Sequence, residues 1–330
     1  MNHPIKHVEF VQKYLDGIFA EDVHAKRVMS LANGAVGVMT GASLAVSMIG
    51  QSLAQARGLL SKHAIKQVDR LLSNEGIVVW DMFAPWVAEV VGARKTIVVA
   101  MDWTDFDADD QATLALSLVT NHGRATPLLW LTVLKDELKD QRDDFEDLCL
   151  ARLAKVLPER VAVTILADRG FGDTKLFDFL DTLGFAYVIR FRGNIHVSAA
   201  DGETRPAAAW VGKGGRARKL RNAEVTAGRH KVGAVVCVRA RDMKEAWCLA
   251  TNNAEATARE IMNYYAKRWT IDIDQSWRLS RLCGGGGGKP WRQAAPGRRR
   301  GSYRLQRRDR LGIGAHQHGA FRAAADAAAG

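Results

Sequence analysis

Two aspartates occupy matching places in this chain. Asp102 ends the apolar run of VVAMDWTDF, and Asp168 ends that of TILADRGFG. A carboxylate leaving a buried strand at a sheet edge suits a divalent cation. Mg²⁺ takes hard oxygen ligands and keeps positions open for a substrate phosphate and water. The plain alternative is that each residue only terminates a strand or starts a turn. Two of them on candidate neighbouring strands bring the two readings nearer to even. Asp105, Asp107, Asp109 and Asp110 crowd the first position and read as a polar loop. His122 and His196 have no partner at metal or triad spacing and receive no role.

Such a pair works only if strands hold it, and the pattern supplies them. TIVVAMDWT, ATLALSLVT and TPLLWLTVL are apolar, β-branched runs separated by polar turns, which predicts three buried strands. QRDDFEDLCLARLAKVLP has helical spacing and ends at a proline. VAVTILADRGFG then predicts a strand entering a glycine-containing loop. Asp173 or Thr174 caps a helix through LFDFLDTL that Gly184 closes, and FAYVIRFRGN gives a fifth strand. Three strands, a helix, a strand, a helix and a strand is the order of a ribonuclease-H-like sheet. Pattern alone leaves other α/β folds open.

The flanks differ from this centre. The first 75 residues read as helical. In LLSKHAIKQVDRLLSN, Ile65, Val68, Leu71 and Leu72 recur at helical spacing, while Lys62, Lys66 and Arg70 stand four apart on another face. That basic stripe suits DNA phosphates and equally suits an ordinary solvated face. Val28 to Ala56 carries no charge, yet its four glycines and several Ser, Gln and Asn residues favour a packed helix rich in small residues over a membrane span. Residues 195–252 show short alternating runs with basic and glycine-rich turns, a small β-rich insertion. EATAREIMNYYAKRWTI returns to helix, with Ala258, Ile261, Met262, Tyr265 and Trp269 on one side.

Composition removes some classes. A chain of 330 residues with 47% apolar residues can bury a large core. Four scattered cysteines without a CxxC pair argue against a zinc ribbon or a disulfide framework, and favour a reducing cytosol. No basic and apolar leader opens the chain, so a cytoplasmic protein is expected. The formal net charge is +11, but residues 278–330 hold twelve of the 47 basic residues and only two of the 36 acidic ones. The preceding 277 residues are therefore nearly neutral, and the charge of the whole chain says little about what its folded part binds.

The sequence resembles the DDE-type insertion-sequence transposases of the insertion-sequence-four group. The matching stretches are KHAIKQVDRLLSN, VAMDWTDF, HGRATPLLW, LADRGFGD, VIRFRGN, WCLATN and YAKRWTI, spread over residues 55 to 271. The resemblance implies an α/β fold, a ribonuclease-H-like mixed sheet with a β-rich insertion and an N-terminal helical DNA-binding region. The expected division is 1–75 helical DNA-binding region, 76–194 first part of the catalytic core, 195–252 insertion, 253–277 last catalytic helix, and 278–330 a basic, disordered tail. It further implies cut-and-paste DNA transposition, with Asp102 and Asp168 as the first and second catalytic acids holding Mg²⁺, or Mn²⁺ in its place. Tyr265 and Arg268 would contact DNA phosphates, and Arg190 and Arg192 would line a DNA channel unless they simply meet solvent. Pairing of two transposon ends would require a homodimer.

The last helix departs from that pattern. The family signature runs Tyr, two residues, Arg, three residues, Glu, six residues, Lys. Tyr265 and Arg268 fit, but Asp272 stands at the Glu position and Leu279 at the Lys position. Asp is shorter than Glu by about 1.5 Å, and a misplacement near 1 Å can cost about 10²-fold in rate. Asp272 is thus the candidate third catalytic and metal-binding acid, in a chain expected to be impaired. The alternative is a catalytically inactive DNA-binding remnant that inhibits intact transposase. Beyond Ile271 no helical period continues, and five consecutive glycines precede an Arg- and Ala-rich tail. A GC-rich coding sequence read in a shifted frame has this composition; a genuine basic DNA-binding tail is the other reading.

Overall fold

The computed structural model describes residues 4–120, 125–241 and 243–268. Asp272, Leu279 and the basic tail lie outside the described residues, as do His122 and Trp269.

The N-terminal quarter is helical: α1 (Pro4–Phe19), α2 (Ala25–Gly41), α3 (Val46–Arg57) and α4 (Ser61–Leu72). They close on their own small core of Val8, Val11, Ala32, Val36, Ile49, Leu53, Ala64 and Val68. The uncharged segment is not one helix. It breaks into α2 and α3, bent by 95°, and no single described helix is long and apolar enough to cross a membrane. Its glycines explain the packing. A Cβ on Gly37 would sit 2.5 Å from the Ile49 carbonyl oxygen, and one on Gly50 would sit 2.5 Å from Ile65 Cα. Backbones this close tolerate only hydrogen at those positions. On α4, Ala64 and Val68 are buried, whereas Leu72, expected on the apolar face, is exposed.

After α5 (Phe83–Val91) come β1 (Thr96–Phe106), β2 (Gln111–Val119) and β3 (Ala125–Leu134), then α6 (Arg142–Val156), β4 (Ala162–Ala167), α7 (Thr174–Thr182) and β5 (Ala186–Phe191). Five further strands follow: β6 (His196–Ser198), β7 (Thr204–Pro206), β8 (Arg218–Val225), β9 (His230–Val238) and β10 (Trp247–Thr251). The last described helix is α8 (Ala258–Ala266). All ten described strands form one mixed sheet, in the order β3-β2-β1-β4-β5-β10-β9-β8-β6-β7. β1, β4 and β5 are parallel, and the rest join antiparallel. The strands of residues 195–252 prolong the central sheet, because β10 pairs with β5 through Cys248–Phe191, Leu249–Arg190 and Ala250–Ile189. Cys237 and Cys248 face each other across the consecutive strands β9 and β10 as free buried thiols.

The two faces of this sheet are built differently. Strand side chains alternate with period two, so Val99, Met101, Ile165, Ala167, Ile189 and Phe191 point into the large core that α5, α6 and α7 cover. Ala100, Leu166, Val188 and Leu249 point the other way, beneath Ile261 and Tyr265 of α8. α8 starts at a capping box in which Thr257 accepts from the Glu260 N–H and the Glu260 carboxylate accepts from the Thr257 N–H. Among the described residues one carboxylate is buried on the α6 side: Glu146, which accepts a 2.8 Å bond from Trp103 Nε1 and lies 3.4 Å from Arg142. Burial pushes its carboxyl up to about 7, against the opposing pull of Trp103 and Arg142.

Candidate active site

The period-two alternation that places Ala100 and Leu166 under α8 also decides where the next polar residues emerge. Asp102 and Asp168 follow them by two positions each, on the same face. Met101 pairs with Ala167 at the end of the parallel β1–β4 ladder, which sets Asp102 and Asp168 level on adjacent strands. Arg190 and Arg192 follow Val188 on β5 in the same way and line one cleft. A single row of charged groups therefore leaves the sheet where its apolar α8 face ends.

Arg268, just past α8, closes this row. Its Nη2 donates to Asp102 Oδ1 at 2.8 Å and lies 3.8 Å from Asp168 Oδ2. The Arg268 residue is almost entirely buried, at 8% exposure. The other oxygen of Asp168 accepts from the Gly170 N–H at 2.7 Å, capping the short turn Arg169–Phe171. Asp168 thus starts a turn, one of the roles its sequence position allowed, and its second oxygen faces the Arg268 guanidinium.

Tyr265 is not presented to a surface. It is 2% exposed and packs edge to face on Trp247, with ring centroids 4.9 Å apart. Burial raises its phenol above the usual range, while Arg268, Arg190 and a hydrogen bond with Arg190 pull the other way. α8 uses this position to anchor itself on β10, while the hydroxyl reaches the charged row at Arg190. Lys62, Lys66 and Arg70 are exposed on α4, which packs on α2 and α3.

Of the expected polar loop, Asp107, Asp109 and Asp110 form the turn after β1, whereas Asp105 is still in β1, paired with Ala112; Lys135 pairs with Asp107 and approaches Asp105 to 3.7 Å. Sequence reasoning missed Arg169 and Glu245. Glu245 accepts from Arg169 at 2.8 Å and from Arg190 at 3.0 Å. Arg169 had a signal, since it adjoins Asp168. Glu245 had none, because nothing in RDMKEAW ties that turn to a strand 55 residues earlier.

Among the described residues no three His, Cys, Asp or Glu side chains converge on a metal-sized centre. The two carboxylates nonetheless fit a divalent cation, for one guanidinium nitrogen already bridges them. A hard ion held by two carboxylates, with the remaining positions left to water and phosphate, is an ordinary Mg²⁺ arrangement.

Residues 94–286, more than half of the chain, match the family described as "Transposase DDE domain". This chain belongs to that family. Its domain is that of transposases, enzymes of DNA transposition and recombination; DDE transposases generally use divalent metal ions. The matched segment contains Asp102, Asp168, Arg190 and Arg268. No curated protein sequence matches the transposase. Among solved structures it is similar to the Argonaute of Marinitoga piezophila with a 5′ OH guide RNA, at 12% identity over 60% of this chain and 31% of that one, TM-score 0.23. The same Argonaute with guide RNA and target DNA gives 14% identity over 65% and 32%, TM-score 0.21. The transposase thus spans about a third of the length of those chains, and likeness at that level bears on neither fold nor activity.

Proposed function

We propose that the chain is an insertion-sequence transposase of the insertion-sequence-four group, with a ribonuclease-H-like centre formed by β1 to β5 and a β-rich insertion ahead of the last catalytic helix. The observation that carries this reading is the level placement of Asp102 and Asp168 on adjacent parallel strands, converging on one cationic atom. In this reading Asp102 and Asp168 hold Mg²⁺ or Mn²⁺, with Asp272 as third ligand. The bound ion supplies activation of water or a DNA 3′-hydroxyl and charge stabilisation at the leaving oxygen. Asp102 and Asp168 fix the attack geometry, and the capping bond from Gly170 holds the Asp168 carboxylate in one orientation. Arg268, released from Asp102, meets a strand phosphate, with Arg190 and Arg192 along the same row. Tyr265 orients Arg190 rather than touching DNA directly. Lys62, Lys66 and Arg70 of the helical region, residues 1–75, contact DNA outside the cut, and two chains pair to join two ends.

Metal-dependent cleavage of end-containing DNA, followed by joining to target DNA, tests this. Asp102→Asn and Asp168→Asn are each expected to reduce cleavage by more than about 10²-fold, since loss of even an outer partner of a metal ligand costs 10 to 100-fold. Cleavage that survives both substitutions overturns the assignment. Cleavage without joining makes the chain a nuclease of the same fold.

Asp272 and Leu279, at positions where the family carries Glu and Lys, favour a second reading: an inactive DNA-binding remnant that poisons intact copies. Sequencing codons 265–330 and translating all three frames separates the two. A shifted frame that restores a Glu four residues after Arg268 and a Lys seven residues later makes the present chain a weak or dead enzyme. If no other frame reads as helix, Asp272 is the third ligand and the basic tail a real DNA contact.

A further inference from the structure

Beside the Asp102–Asp168 pair the sheet opens into a cleft of about 640 Å³. Its walls carry five cations, Arg169, Arg190, Arg192, Arg239 and Lys244, and one anion, Glu245. The position of that anion is informative. Its Oε2 alone accepts from two guanidinium groups, Arg169 at 2.8 Å and Arg190 at 3.0 Å. These come from separate parts of the sheet: Arg169 follows β4 and Arg190 is on β5, whereas Glu245 belongs to the turn between β9 and β10. The Glu245 side chain is 60% exposed and Arg190 only 18%. A fixed, half-buried arginine is thus capped by an exposed carboxylate on a turn.

Two guanidinium groups converging on one oxygen is the geometry in which arginines hold a phosphate. We infer that Glu245 is a built-in phosphate mimic. In the DNA-free protein it fills a seat between Arg169 and Arg190 that a strand phosphate takes in the cleft, and the β9–β10 turn yields when DNA enters. The inference rests on the transposase reading for the source of the phosphate, but the seat itself is defined by these three side chains. It makes Glu245 a negative regulator of DNA binding: each encounter must first displace a carboxylate, which weakens loose association with random DNA.

The test measures binding of the full chain to duplex DNA by fluorescence anisotropy across a salt series, and binding of inorganic pyrophosphate by calorimetry. Glu245→Gln is the variant. Glu255→Gln is the control, because Glu255 pairs with Arg221 on β8, outside the cleft, and its loss changes net charge equally. Glu245→Gln is expected to tighten DNA binding about tenfold, near 1.4 kcal/mol. Its log–log salt slope should steepen by about 0.9 for each phosphate newly seated. Pyrophosphate should also bind more tightly to Glu245→Gln, and Glu255→Gln should stay within about twofold of the parent. Equal tightening by both variants, or none with Glu245→Gln for either ligand, overturns the inference. A protein that ignores DNA but binds pyrophosphate more tightly as Glu245→Gln keeps the seat and overturns the transposase reading instead.

Discussion

Arg268 Nη2 lies 2.8 Å from Asp102 Oδ1, although 166 residues separate them. The contact joins the last described helix to the first strand of the sheet, and it places a positive charge where two carboxylates would otherwise repel. Both partners are largely buried, with side chains 10% and 16% exposed. Arg268 therefore has a structural task besides any contact with DNA.

Removing that charge should be costly. Truncating one member of a buried ion pair leaves the other uncompensated, at a cost of about 3–5 kcal/mol. Arg268→Ala is expected to lose about 3 kcal/mol in chemical denaturation without metal, and Mg²⁺ should restore more stability to the variant than to the parent. Equal stability of variant and parent, with no added response to Mg²⁺, would refute the pairing.

Tyr265 separates packing from polarity. Its ring is buried against Trp247, so Tyr265→Ala should cost about 3–5 kcal/mol, as for other large aromatic truncations. Tyr265→Phe keeps the ring and should lose only about 1 kcal/mol with the hydrogen bond to Arg190. Urea titrations of both variants check this. Similar losses in the two would mean that the hydroxyl, not the ring, secures α8.

Glu146 predicts a pH dependence. Its carboxyl is raised from 4.5 to about 7, with burial as the largest cause. The folded state therefore holds the proton more tightly than the unfolded state between those values. Stability from this group is fully present below about 4.5, falls as pH rises, and is lost above about 7. The shift corresponds to at most about 3 kcal/mol. Glu146→Gln, which keeps an acceptor for Trp103 Nε1, should melt higher than the parent at pH 8 and match it near pH 5. A constant difference across that range would show that the carboxyl does not titrate there.

The central strands were legible because each is a short apolar run bounded by turn residues, and the period of two carried Asp102 and Asp168 to one face. That their two strands are neighbours does not follow from the pattern, since β2, β3 and α6 intervene in the chain between β1 and β4. The burial of Tyr265 was not legible, because a tyrosine at helical spacing reads as core or as contact, and the Trp247 ring it packs on is brought by β10. The continuity of the sheet into residues 195–252 depends on β10 returning beside β5, a pairing with no local sign. Glu245 stayed hidden for the same reason. Leu72 is exposed because α4 buries Ala64 and Val68 against α2 and α3, and no described helix covers the far end of that stripe.

The helical layer offers a test independent of the catalytic reading. Gly50 and Gly17 are both helical glycines, and helix propensity alone favours alanine at each by about 1 kcal/mol. Their surroundings are opposite. A Cβ on Gly50 meets Ile65 Cα at 2.5 Å and Ile65 N at 2.7 Å, which are backbone atoms that cannot turn aside, whereas one on Gly17 meets nothing within 4 Å. Gly50→Ala must push α3 off α4, and overpacking of this kind costs about 1–3 kcal/mol. Gly17→Ala should stabilise α1 by up to about 1 kcal/mol. Thermal melts of the two variants should move in opposite directions, because steric contact outweighs propensity at Gly50 and is absent at Gly17. If both moved upward, α3 and α4 would not approach as closely as their backbones do here, and the basic face of α4 would be held by a different packing.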